Sequence, residues 1–145
     1  MNEKTQLIVV LFVIVLVSFV LYKIFAKLGL IKTSADREKE VNVEKIRESG
    51  YFSPMYYKTK AFKPMSETEL KIIAKDLRKA TKGFGTDEEL IYSSFKRLLN
   101  KVNISQLAEV YYKQYQKDLR AEILDDLREK EMSILQKVID SLPNF

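Results

Sequence analysis

The 145-residue chain contains no cysteine and no histidine. Together these absences exclude thiolate nucleophiles, imidazole bases, a histidine pH switch, every disulfide, and zinc, haem or iron–sulfur ligation through either residue. The missing thiols say nothing about compartment, because a chain without them is indifferent to redox poise. Also lacking is any alternating apolar pattern of the kind a half-buried strand needs, so the expected fold class is all-α. No P-loop, nucleophile elbow or carboxylate-rich motif occurs. Asp125 and Asp126 are sequence neighbours that a helix turns about 100° apart rather than a facing acid–base pair. A non-enzymatic protein is expected.

What the chain does have is one long apolar run. Leu7 to Tyr22 (LIVVLFVIVLVSFVLY) is apolar apart from Ser18 and the Tyr22 phenol, and the run continues to Ile31 broken only by Lys23 and Lys27. About 20 helical residues cross the hydrocarbon of a bilayer. The run reaches that length if Lys23 and Lys27, four apart on one face, snorkel to the headgroups at the membrane interface. A cleaved signal peptide competes with this reading, but no small-x-small site follows the run, which is also longer than a typical signal core. Residues 1–31 are therefore expected to form a single transmembrane anchor. Glu3 and Lys4 cancel before the span, whereas Lys23, Lys27, Lys32, Arg37 and Lys39 follow it. The positive-inside rule then places the C-terminal part in the cytoplasm or a topologically equivalent compartment.

Residues 32–50 are charged, with Val41, Val43 and Ile46 forming only a weak stripe, and read as a solvated stalk stopped by Gly50 as a C-cap. Residues 51–65 read as a strap: Tyr51, Phe52, Tyr56, Tyr57 and Phe62 are interleaved with Pro54, Pro64 and three lysines. Prolines forbid a long regular element here, and five aromatics exceed what a free linker carries. The strap either packs on the head or offers an aromatic and basic belt to a membrane or partner protein. From Ser66 onward helix starts recur. Ser66 with Glu69, Thr86 with Glu89 and Asn103 with Gln106 all have capping-box spacing. The helical stripes are Leu70–Ile73–Leu77–Ala80, Leu90–Ile91–Ser94–Phe95–Leu98, Leu107–Val110–Tyr111–Tyr115, Leu119–Ile123–Leu127 and Leu135–Val138–Ile139–Leu142. They predict a compact five-helix head over residues 66–145, with Pro143 ending the last helix.

Between the first two of these helices lies Lys82-Gly83-Phe84-Gly85-Thr86-Asp87-Glu88. Two glycines bracketing one residue let the backbone turn sharply and expose its carbonyls, and local chemistry requires no more than a tight helix–loop–helix turn. KGFGTDE, followed in order by DLRAEILDDL at 118–127, resembles the annexin repeat over about residues 67–142. That resemblance implies a Ca²⁺ site built from the carbonyls of Thr81, Gly83 and Gly85 and capped by an acidic side chain, Asp126 or alternatively Asp125. Such a site fits the preference of calcium for six to eight oxygen ligands. Phe84 at the loop tip would then face lipid or a partner. Arg128-Glu129-Lys130-Glu131 stands where the family has a glycine-containing turn, and one repeat stands where the family has four.

A single span with a lone annexin-like repeat also resembles small membrane proteins of Bacteroidota-type bacteria and their viruses. The resemblance implies a structural protein tying an internal virion membrane to a capsid. The alternative is a Ca²⁺-dependent phospholipid-binding module. Expected partners are a lipid bilayer and another protein of a capsid or envelope, in a homo- or hetero-oligomer that would help support a small core. The net charge of +5 at first suggests nucleic acid, but residues 67–145 carry 14 basic and 14 acidic side chains. The excess belongs to Lys23, Lys27 and residues 32–66, which points to topology and anionic headgroups instead.

Overall fold

The computed structural model describes residues 2–83 and 85–145. Among them the chain is all-helical, with seven α-helices, two short 3-10 turns and no strand. It divides into two compact units, residues 1–37 and 38–145.

The first unit is built on α1 (Glu3–Lys27), which holds Leu7 and Tyr22 within one unbroken helix. It has no polar face, and none of its apolar stretch is covered by the rest of the protein. With a mean hydropathy of 3.0, the helix is long and apolar enough to cross a membrane. Lys23 folds back over the Phe19 ring, its Nζ 5.5 Å from the centroid. A Schellman motif closes the helix: Leu30 N–H donates to Phe25 O at 2.9 Å and Gly29 N–H to Ala26 O at 3.1 Å. After a short turn, α2 (Ser34–Glu48) begins. Thr33 caps it reciprocally, since its hydroxyl takes the Asp36 N–H at 3.2 Å while the Asp36 carboxylate takes the Thr33 N–H at 3.1 Å.

The second unit takes in the C-terminal part of α2, the 3-10 turns Gly50–Phe52 and Tyr56–Thr59, and five helices: α3 (Glu67–Thr81), α4 (Glu88–Lys96), α5 (Val102–Tyr115), α6 (Leu119–Asp126) and α7 (Glu129–Ser141). Helix α3 packs on α4 and α5, α4 packs on α7, and both 3-10 turns lie on α5. Leu70, Ile73 and Leu77 of α3 meet Ile91 and Phe95 of α4, Leu107 and Tyr111 of α5, Ile123 of α6 and Leu135 of α7 in one core. Residues 38–48 are no free stalk. Val43 and Ile46 join the core, Ile46 with none of its surface exposed, and Asn42 Nδ2 donates to Ser133 Oγ on α7 at 3.0 Å. The weak stripe is real but one member short, because Val41 faces solvent. Gly50 does not form the expected left-handed cap; it opens the first 3-10 turn instead.

Two of the three capping boxes are also corrected. Ser66 and Glu69 form the expected reciprocal pair. At α4 the cap is Asp87, whose Oδ1 accepts the Leu90 N–H at 3.0 Å, and Thr86 is released for another contact. At α5 the N-cap is Lys101, without a side-chain cap, and Asn103 and Gln106 turn toward the strap.

Candidate functional site

The loop joining α3 to α4 is closed at its base by Asp87 N–H donating to Ala80 O at 3.1 Å. Gly83 at φ 133° and Gly85 at φ 87° take backbone conformations that side chains rarely allow, and a Cβ at either position would meet open space. Conformation and not crowding thus requires glycine there. Phe84 lies outside the described residues. Thr86 Oγ1, freed from capping, donates to Asp126 O at the end of α6 at 3.2 Å. The fold thereby brings the 81–86 loop and Asp126 together across 40 positions of sequence, while the alternative residue Asp125 is exposed.

Thr81, the last residue of α3, sends its Oγ1 to Glu122 Oε2 at 3.4 Å. Glu122 is the centre of a network that sequence reasoning missed. Its carboxylate also accepts from Arg78 Nη1 at 2.8 and 3.0 Å, from Lys117 Nζ at 2.5 Å and from Tyr111 Oη at 2.5 Å. Burial alone would raise this carboxyl, but the bonds from Lys117, Tyr111 and Arg78 outweigh it and hold Glu122 below the ordinary carboxylate value. Burial, reinforced by Glu122, pushes the Tyr111 phenol up to about 12. Asp126 behaves oppositely. Partial burial, then the negative charges of Glu122 and Asp125, raise its carboxyl above the ordinary value against the pull of Arg78 and Lys117.

A partly buried carboxyl raised first by burial and then by neighbouring acids, beside a glycine loop, is a place where a bound cation would relieve repulsion. No cluster of three or more acidic side chains suited to a metal converges among the described residues. A calcium ion here would therefore depend largely on backbone carbonyls from the loop, with Asp126 among its few charged ligands.

No protein-family model, curated protein or solved structure matches this chain.

The strap is held against α5 by buried polar groups. Ser105 Oγ accepts the Tyr57 N–H at 3.0 Å and donates to Ser53 O. Asn100 and Asn103 both donate to Lys63 O at 3.1 Å, and Gln106 Oε1 accepts the Met65 N–H at 3.1 Å. Of the five strap aromatics, Phe52 is 1% exposed and packs 6.0 Å from Phe95 in the core. Tyr51 and Tyr56 stack edge to face at 5.2 Å, and Tyr57 does the same with Phe62 at 6.0 Å. The Tyr57 hydroxyl donates to Glu109, and that bond holds the Glu109 carboxyl below its ordinary value, helped by Lys113 and Lys58 and opposed by burial. Packing on the head buries Phe52, whereas Tyr51, Tyr56, Tyr57 and Phe62 stay partly exposed.

Proposed function

We propose that this chain is a non-enzymatic, membrane-anchored interaction protein, in which α1 sits in a bilayer and the helical head contacts another protein. The observation that carries the reading is α1 itself. It is 25 residues long, apolar on every side and uncovered by the protein, so only lipid or a protein partner can remove that surface from water. Lys23 and Lys27 at its C-terminal end favour a head on the cytoplasmic or equivalent side. The acids with the most contacts, Glu122 and Glu109, are committed to ion pairs that hold helices and strap together, which suits a structural head better than a catalytic one. A protein linking a virion membrane to a capsid is the setting suggested by resemblance to one-span proteins of bacterial viruses. Fractionating cell envelopes beside purified particles and identifying what co-purifies tests it: recovery with a membrane and a defined shell or envelope protein is expected, and recovery as a soluble free protein would overturn it.

One observation favours a second reading, Ca²⁺-dependent phospholipid binding through an annexin-like loop. Thr86 joins the Gly83–Gly85 loop to Asp126, the residue that such a site would use as its acidic cap. Ligand at about one hundred times its dissociation constant stabilises a protein by about 2.7 kcal/mol. Millimolar Ca²⁺ should then raise the melting temperature of the full chain in detergent, and Asp126→Asn should abolish the rise. An unchanged melting temperature in the wild type would remove this reading and leave the first intact.

A further inference from the structure

Outside α1 the charge of the chain is unevenly placed. Residues 32–49 carry five basic and five acidic side chains and residues 66–145 carry 14 of each, whereas residues 50–65 carry Lys58, Lys60 and Lys63 and no acid. The whole excess beyond the span therefore lies on the strap.

The strap's hydrogen bonds give those lysines a shape. Tyr57 N–H is pinned to Ser105 and Lys63 O to Asn100 and Asn103, so residues 58–62 form an arch between two anchored ends, with Lys58, Lys60 and Lys63 exposed and Lys101 next to the Asn100 that holds one end. Lys58 is partly neutralised by Glu109, 3.4 Å away. Lys60 and Lys63 have no carboxylate partner among the described residues. Lys60 Nζ rests 5.0 Å from the Tyr56 ring centre, and Lys101 Nζ donates only to the neutral Asn144 side chain at 3.0 Å. Met55, ahead of the arch, is 61% exposed.

We propose that this arch docks on the anionic phospholipid surface of a bilayer, an inference that rests on the reading of α1 as a membrane anchor. Three features favour lipid over an acidic protein face. A covalent anchor in a bilayer would keep the arch at high effective concentration near headgroups. Every cation on the arch is lysine, a flexible point charge suited to a diffuse negative surface, and none is arginine, the residue suited to bidentate recognition of a defined carboxylate. Tyrosine rings and an exposed methionine among the lysines match the mixed chemistry of the headgroup zone.

The chain has no tryptophan, so Met55→Trp in the full-length protein creates a single fluorescent reporter. It would be read in nanodiscs of phosphatidylcholine alone and of phosphatidylcholine with phosphatidylserine. A blue-shifted, less quenchable emission in the anionic discs, reversed by high salt, is the expected result. Each lysine near such a surface is worth roughly fivefold in occupancy, so neutralising Lys60, Lys63 and Lys101 to glutamine should weaken docking on the order of a hundredfold. Identical emission in both discs would overturn the proposal, as would a shift produced only by adding polyglutamate, which would assign the arch to an acidic protein. A chain that fails to enter the discs at all would instead sink the anchored reading, and this inference with it.

Discussion

Glu122 shows how one side chain can set both the stability and the acid sensitivity of the head. It draws Arg78 of α3, Tyr111 of α5 and Lys117 from the following turn onto α6, so its loss would loosen three connections at once. Hydrogen bonds to charged groups contribute about 1.5 to 3 kcal/mol each, and partial solvent access reduces the sum, so Glu122→Gln should cost about 2 kcal/mol at neutral pH by denaturant titration. The sign with pH follows from the direction of the shift. A carboxyl held below its ordinary value stabilises fully above that value and loses its contribution as pH falls through its folded value. The gap between wild type and Glu122→Gln should therefore close in acid. Asp126 has the opposite sign, because its carboxyl is raised. Its contribution is favourable below the ordinary carboxylate value and is lost as pH rises, so Asp126→Asn should stabilise the calcium-free protein at neutral pH by a few tenths of a kcal/mol. A lower melting temperature for Asp126→Asn would contradict that assignment.

At the scale of elements, residues 38–48 of the charged segment and the aromatic strap both belong to the folded head. Val43 and Ile46 are buried among residues of the later helices, and burying such side chains contributes about 1.5 to 3 kcal/mol each. A fragment beginning at residue 51 should thus melt well below one beginning at residue 33, and Ile46→Ala alone should cost about 2 to 4 kcal/mol; equal stability of the two fragments would restore a free stalk. Asn103 does the same work for the strap, and Asn103→Ala should cost about 2 kcal/mol by stranding the Asn100 N–H, which Asn103 Oδ1 accepts at 3.0 Å, and by removing one of the two donors to Lys63 O. Helix identity was legible in the sequence because apolar spacing records which face each helix buries. The role of α2 was faint because a stripe of three valine and isoleucine positions in a field of charge looks the same on a free helix as on a docked one. The capping patterns at Thr86 and Asn103 misled for a related reason: a polar side chain near a helix start serves a cap or a tertiary contact equally well, and only the packed fold decides for Thr86 between Glu89 N–H and Asp126 O. Glu122 left no signal, since nothing local distinguishes it from the solvated acids of the same helix.

Across the whole molecule, apolar surface and positive charge are concentrated in separate places. The apolar surface that the fold leaves open is overwhelmingly that of α1, and the charge excess sits at Lys23 and Lys27 and on the strap, with the rest of the head balanced. Such a distribution suits the proposed role at the boundary between lipid and water, in which α1 would supply retention and the head contacts. Retention is the property on which the rest depends. Alkaline extraction of native membranes carrying the full chain, followed by intact mass of the protein in pellet and supernatant, measures it directly. Recovery in the pellet with residues 1–31 still attached is the expected outcome. Release into the supernatant, or a protein shortened by loss of the apolar segment, would contradict a membrane anchor.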